Sequence, residues 1–157
     1  MLNEVKNNNP GNIRYSVYNN WVGQLGQDYR GFVVFDTLQH GIRAMVILIL
    51  NYIDDGDNCI AEIISRYAPT NENDTEAYID TVSNMTGIGM YDDISGNDSD
   101  IINTIYCMIK VESGVFVPMV LVTDAYNNEF DPSSTPGSPS LLIPAIAALA
   151  LYTYSNN

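Results

Sequence analysis

Positive charge is what this sequence has least of. Six Lys and Arg stand against 19 Asp and Glu in 157 residues, for a formal net charge of -13. A chain this acidic repels a phosphate backbone, which argues against a general nucleic-acid binder. Cysteine is almost missing: Cys59 and Cys107 are the two present. They form no CxxC pair and make no disulfide framework. Histidine is scarcer, with His40 alone. A Cys/His zinc site would need both thiols plus a carboxylate, and the spacing suggests none, so no metal is expected. A Ser-His-Asp enzyme would have to use His40, which leads into Gly41-Ile42-Arg43 and no nucleophile motif. The N-terminal Met1-Leu2-Asn3-Glu4-Val5-Lys6-Asn7 lacks an apolar core, so no cleaved signal peptide is expected.

What is there suffices for one packed domain, since 46% of residues are apolar. Residues 7–31 are rich in Asn, Gly, Tyr and Gln and read as turns and short strands. Residues 31–36 read as a brief strand closed by a turn. Thr37 can cap a helix over 39–52 that is apolar almost all round, as a central buried helix is. It is short for a membrane span and holds Arg43. Residues 54–58 break the chain, and a short helix over 59–66 ends before Pro69. After a polar loop, Asp74 or Thr75 caps a helix to about residue 85, with Ala77, Tyr78, Val82 and Met85 inward. A last helix over 99–111 stops at Ser113-Gly114. The predicted class is mainly α (α+β), with a small β element near the N-terminus.

Three segments follow from composition: a domain over 1–130, a Pro/Ser-rich linker over 131–140, and an apolar stretch over 141–157 with no charge after Asp131. The stretch 141–154 has three readings. It is a short membrane anchor, a helix docked on a partner protein, or a final helix packed on its own domain. The acidic runs at 54–57 and 92–100 match no calcium loop and read as solvated charge.

One carboxylate sits where chemistry is possible. Ile101, Ile105, Met108 and Glu112 are spaced four, three and four, which is one stripe of a helix. The stripe is apolar until its last member. A carboxyl on the buried face at a helix C-terminus is desolvated and faces the negative end of the dipole, and both effects raise its pKa. A carboxyl that keeps its proton near neutral pH suits a general acid for glycosidic cleavage. The plain alternative is a side chain turned out to water at a frayed helix end.

Three stretches carry a resemblance. Ile109-Lys110-Val111-Glu112-Ser113-Gly114 resembles the catalytic signature of lytic transglycosylases and related lysozyme-like enzymes, whose acid-bearing helix ends in Glu-Ser-Gly. Asn8-Asn9-Pro10-Gly11-Asn12-Ile13-Arg14 resembles a motif of phage virion-associated peptidoglycan-degrading proteins and is similar to a loop of bacterial glucosaminidases. Trp21-Val22-Gly23, Phe32-Val33-Val34-Phe35-Asp36 and Gly41-Ile42-Arg43-Ala44 follow, as in those groups. Arg66-Tyr67-Ala68-Pro69-Thr70-Asn71-Glu72-Asn73, with Tyr78-Ile79 after it, is similar to a further segment of the phage group. Together these matches cover residues 7–114.

The resemblance implies a lysozyme-like helical domain with a small β-hairpin. The acid-bearing helix comes last here, so the implied fold is a circularly permuted one. It implies cleavage of the β-1,4 bond between N-acetylmuramic acid and N-acetylglucosamine, with Glu112 as the acid and no cofactor. Tyr67 then lines the cleavage site, and Asn12, Arg14, Trp21 and Tyr78 meet the sugar. The implied partners are a peptidoglycan strand and other virion proteins. The implied location is a phage particle acting at the host wall, or a late lysis enzyme. Plainer roles stand beside these. Tyr67 is a core tyrosine, Asn12 satisfies a Pro-Gly turn, and Trp21 is a core or lid residue. A transglycosylase needs one acid, because the substrate's own 6-hydroxyl closes an anhydro ring. A hydrolase wants a second carboxylate, from Asp28, Asp36 or Glu72, although Asp36 also suits a turn or helix cap. The competing expectation is a non-catalytic virion structural protein that uses the groove for assembly or glycan binding.

Overall fold

A computed structural model describes residues 5–70 and 74–128. The linker and apolar stretch expected over 131–157 lie outside these residues, as does Glu72. The architecture is mainly helical, with one two-stranded antiparallel hairpin near the N-terminus, as the composition and patterning predict.

The N-terminal lobe begins with a 3-10 turn, Lys6–Asn8, and carries strands β1 (Gln24–Gln27) and β2 (Val33–Phe35). Gln24 faces Phe35, Gly26 faces Val34 and Gln27 faces Val33, with a bulge between Gln24 and Gly26. Arg14 bridges Phe32, and the Val33 N–H donates to the Ile13 carbonyl at 2.9 Å, so the Pro-Gly-Asn-Ile-Arg segment lies along β2. Asparagine builds this lobe. Asn7, Asn8 and Asn12 hold φ of 59°, 53° and 48°, a left-handed region that asparagine tolerates better than most residues. Asn9 is 3% exposed. Its amide donates to the Ile13 and Val33 carbonyls and its Oδ1 accepts from the Ile13 N–H, each at 2.9 Å.

Five helices form the body. They are α1 (Leu38–Asp54), α2 (Ile60–Tyr67), α3 (Thr75–Thr86), α4 (Asp98–Ser113) and α5 (Met119–Asn128). Helix α1 is the hub, packing on α2, α4, α5, β2 and the 3-10 turn. Thr37 caps it by accepting from the His40 N–H, and Ile42, Met45, Val46 and Ile49 are fully buried along it. Gly41 is where the lobe meets α1: a Cβ there would stand 1.8 Å from the Asn8 carbonyl oxygen. Asp74 caps α3 and Asn97 caps α4, while Gly87 and Gly114 end them in the left-handed conformation.

Two expectations about α3 are corrected. Ala77 and Met85 are exposed, and Thr75, Tyr78 and Val82 make the inner face. Helix α5 is an addition. Its sequence, Met119-Val120-Leu121-Val122-Thr123, is β-branched and gives no helical period, yet burying Val122 and Tyr126 fixes it against the core. Both cysteines are buried and free. No helix among the described residues is long and apolar enough to cross a membrane.

Candidate active site

Between lobe and body lies an open cleft of about 520 Å³. The lobe supplies Gly11, Asn12, Ile13, Arg14, Asn19, Trp21 and Phe32. The body supplies Leu48 and Tyr52 from α1, Tyr67, Ala68 and Pro69 from the end of α2, and Glu112 from α4. Five of the six residues that the resemblance assigns to the site meet here: Asn12, Arg14, Trp21, Tyr67 and Glu112.

Glu112 completes its stripe as the spacing predicts. Ile101, Ile105 and Met108 are buried, and the half-buried carboxyl emerges at the cleft. Burial raises its pKa above the usual carboxylate value; hydrogen bonds from Asn12 and Tyr78 pull the other way without cancelling it. The Asn12 amide donates to Glu112 Oε2 at 3.1 Å and to the Glu112 carbonyl at 2.8 Å. Asn12 is therefore a clamp on the acid, a role beyond the turn-satisfying and sugar-binding ones its sequence offers.

Tyr78 departs from expectation. It is buried and lies behind the acid, outside the cleft lining, because its position on the inner face of α3 turns it into the body. Burial raises its pKa, and the Glu112 charge adds to that, so it stays a neutral hydrogen-bonding phenol. Tyr67 lines the cleft, and its hydroxyl donates to the Gly11 carbonyl. A Cβ at Gly11 would stand 2.6 Å from that hydroxyl, so glycine there lets lobe and tyrosine meet. Burial, then the Glu112 charge, raises the Tyr67 pKa well above normal. Trp21 packs against the core, one of its expected roles, and also lines the cleft.

Neither Asp28 nor Asp36 lines the cleft. Partial burial pushes Asp28 up, but hydrogen bonds from the Phe32 and Arg30 N–H groups and the Asn7 amide, with the Lys6 charge, hold it down to about 2. Asp36 accepts from His40 Nδ1 at 2.6 Å, a contact that lowers its pKa, and the helix cap expected of it falls to Thr37. Among the described residues lining the cleft, Glu112 is the sole carboxylate.

Sequence reasoning gave no role to Phe32, Leu48 or Tyr52. Tyr52 sits on α1, whose middle is apolar almost all round and so conceals which side opens. In the structure Arg66 packs on it, with its guanidinium 4.2 Å from the Tyr52 ring centre and forked between Asp55 at 2.7 Å and Asp57 at 2.9 Å.

Comparison with known proteins adds a source to this geometry. No protein-family profile matches the chain. It is related to a bacteriophage protein. The chain belongs to the family of protein P5 of Pseudoalteromonas phage PM2, to which it is 39% identical over 114 residues, covering 70% of each chain.

Proposed function

We propose that this protein cleaves the β-1,4 bond between N-acetylmuramic acid and N-acetylglucosamine in peptidoglycan, as a lytic transglycosylase carried by a phage particle. The observation that carries the reading is Glu112: a carboxyl with a raised pKa on the cleft wall, and the sole acid lining the cleft among the described residues. A single acid suits a reaction whose nucleophile belongs to the substrate. The Glu112 carboxylic acid gives its proton to the glycosidic oxygen as the C1–O bond breaks. The muramyl 6-hydroxyl then attacks C1, and its proton returns to the Glu112 carboxylate. Asn12 fixes the carboxyl's direction, and Trp21, Tyr52 and Tyr67 offer ring faces to the sugars.

The chain order supports a permuted lysozyme-like arrangement, because the hairpin comes first and the acid arrives on α4. The phage relationship supports placement in a virion that opens the host wall locally. The glycan strand is the partner, and no cofactor takes part.

The test is digestion of purified peptidoglycan by wild type and by Glu112→Gln, with mass analysis of the products. Anhydromuramyl ends from wild type, and a loss of about 10³-fold or more in the variant, are expected. Reducing muramic-acid ends would replace transglycosylation by hydrolysis. Undiminished cleavage by the folded variant would remove Glu112 from the role. Strand binding without cleavage would favour a structural protein that holds the wall.

A further inference from the structure

The proposed substrate bears carboxylates, and the chain that is to hold it carries a net charge of -13. That charge is unevenly placed. Residues 1–35 hold Lys6, Arg14 and Arg30 against Glu4 and Asp28, while the other seventeen acids all follow. In the lobe, Asp28 lies beneath its cations. Its side chain is 10% exposed, whereas Lys6 and Arg30, each 3.7 Å from it, are 55% and 44% exposed. The acid is thus directed inward, to the Asn7 amide and the Arg30 and Phe32 N–H groups. Solvent meets the two cations.

Aromatic rings join these cations to the cleft. Arg14, a cleft residue, stacks on Phe32, also a cleft residue, at 5.0 Å. Arg30 stacks on the same ring at 5.1 Å and on Tyr29 at 5.8 Å, and Lys6 lies over Tyr29 at 5.4 Å. Tyr29 itself is 90% exposed. The alternating cations and rings run from inside the cleft onto the outer side of the loop joining β1 to β2, and on to Lys6 of the 3-10 turn. Rings of this kind stack on pyranose faces, and guanidinium and ammonium groups bind carboxylates.

We propose that this outer face, Arg30 with Tyr29 and Lys6, is a second binding region, which holds the acid-bearing part of the glycan strand after it leaves the cleft. It rests on the reading of the cleft as a glycan site. Its consequence is selectivity: the protein prefers a strand with free carboxylates to the same backbone made neutral. It also supplies an electropositive route by which an acidic protein can approach an acidic polymer.

The sole tryptophan, Trp21, lines the cleft and gives a fluorescence readout of occupancy. The probes are peptide-free glycan strands with free lactyl carboxylates and the same strands with those carboxyls amidated, titrated into the full-length Glu112→Gln protein so that binding is read without cleavage. At low salt the acidic strand is expected to bind about tenfold tighter than the amidated one, and the margin should shrink as salt rises. Arg30→Gln, or Lys6→Gln if the first variant misfolds, is expected to remove most of that margin. Lys110→Gln takes one charge from a cation stacked on Phe116 instead and is expected to keep it. Equal binding of the two strands, an unchanged margin in both lobe variants, equal loss in Lys110→Gln, or tighter binding to phosphatidylglycerol vesicles than to the strand would overturn the proposal. A margin that survives while wild type cleaves nothing would leave this face standing and remove the enzyme. Cleavage with no margin would do the reverse.

Discussion

The lobe of residues 5–36 buries Ile13, Val33 and Phe35 and fastens itself with asparagine side chains. The body of α1 to α5 buries Ile42, Ile49, Ile60, Ile63, Ile64, Ile105 and Ile109 and relies on area removed from water. Hydrogen bonds are directional and fail one at a time, whereas apolar packing is shared among many neighbours. The cleft takes its acid from the packed region and its clamp from the hydrogen-bonded one. The lobe is therefore expected to loosen before the body and to take the site with it.

The largest effect is expected where the two regions touch. Gly41→Ala puts a methyl group 1.8 Å from the Asn8 carbonyl oxygen, a backbone atom with little room to yield. It should cost about 3 kcal/mol or more and undock the lobe, as read by urea denaturation and by lost activity. A loss under about 1 kcal/mol would mean that the contact is soft.

One pair of variants separates the two kinds of cohesion. Ile63→Ala should cost about 3 kcal/mol and lower amide-exchange protection in every helix. Asn9→Ala leaves the buried Ile13 N–H without its partner and should cost about 2 kcal/mol. Its faster exchange should be confined to β2 and the Ile13 segment. Equal spread of exchange in both variants would dissolve the distinction between lobe and body.

A smaller effect tests the link itself. On the proposed mechanism Asn12→Ala should lower turnover about tenfold, the worth of one hydrogen bond to the charge that develops on the Glu112 carboxylate as its proton leaves. Its pH dependence is more telling. On the same proposed mechanism Glu112 must be protonated to act, so activity is expected to fall as pH rises through its raised pKa. The Asn12 bond lowers that pKa, so removing it should move the alkaline limb to higher pH. A limb that stays in place or moves down would mean that Asn12 does not act on the carboxyl. The linkage to stability has the same sign. The folded pKa lies above the unfolded one, so the contribution of Glu112 is complete below the unfolded value and lost as pH rises through the folded one.

The smallest effect belongs to the lobe's outer surface. Tyr18 is 94% exposed, and Tyr18→Ser should change stability by less than about 0.5 kcal/mol in thermal unfolding. A larger loss would show packing that the solvent exposure of this ring does not suggest.

Where the body obeys local rules, its sequence announces it. Thr37, Asp74, Gly87 and Gly114 mark helix ends with the groups that satisfy or terminate a backbone. The Ile101-to-Glu112 spacing points the acid at the cleft before any tertiary contact is known. The lobe is harder to read, because the bonds of Asn9 depend on where Ile13 and Val33 come to lie. Tyr52 stays hidden for a related reason: only the position of the lobe decides which part of α1 remains uncovered. Helix α5 escapes because its residues favour a strand, and packing against α1 overrides them.

The bond between Asn12 and Glu112 joins residues 100 positions apart. In time rather than space, that separation is a delay. At ribosomal speed the carboxyl follows its clamp by on the order of ten seconds. A nascent or truncated chain ending before α4 carries Asn12, Tyr52 and Tyr67 but no Glu112. On the proposed reading, an enzyme made inside the cell whose wall it attacks is inert until synthesis has passed Glu112.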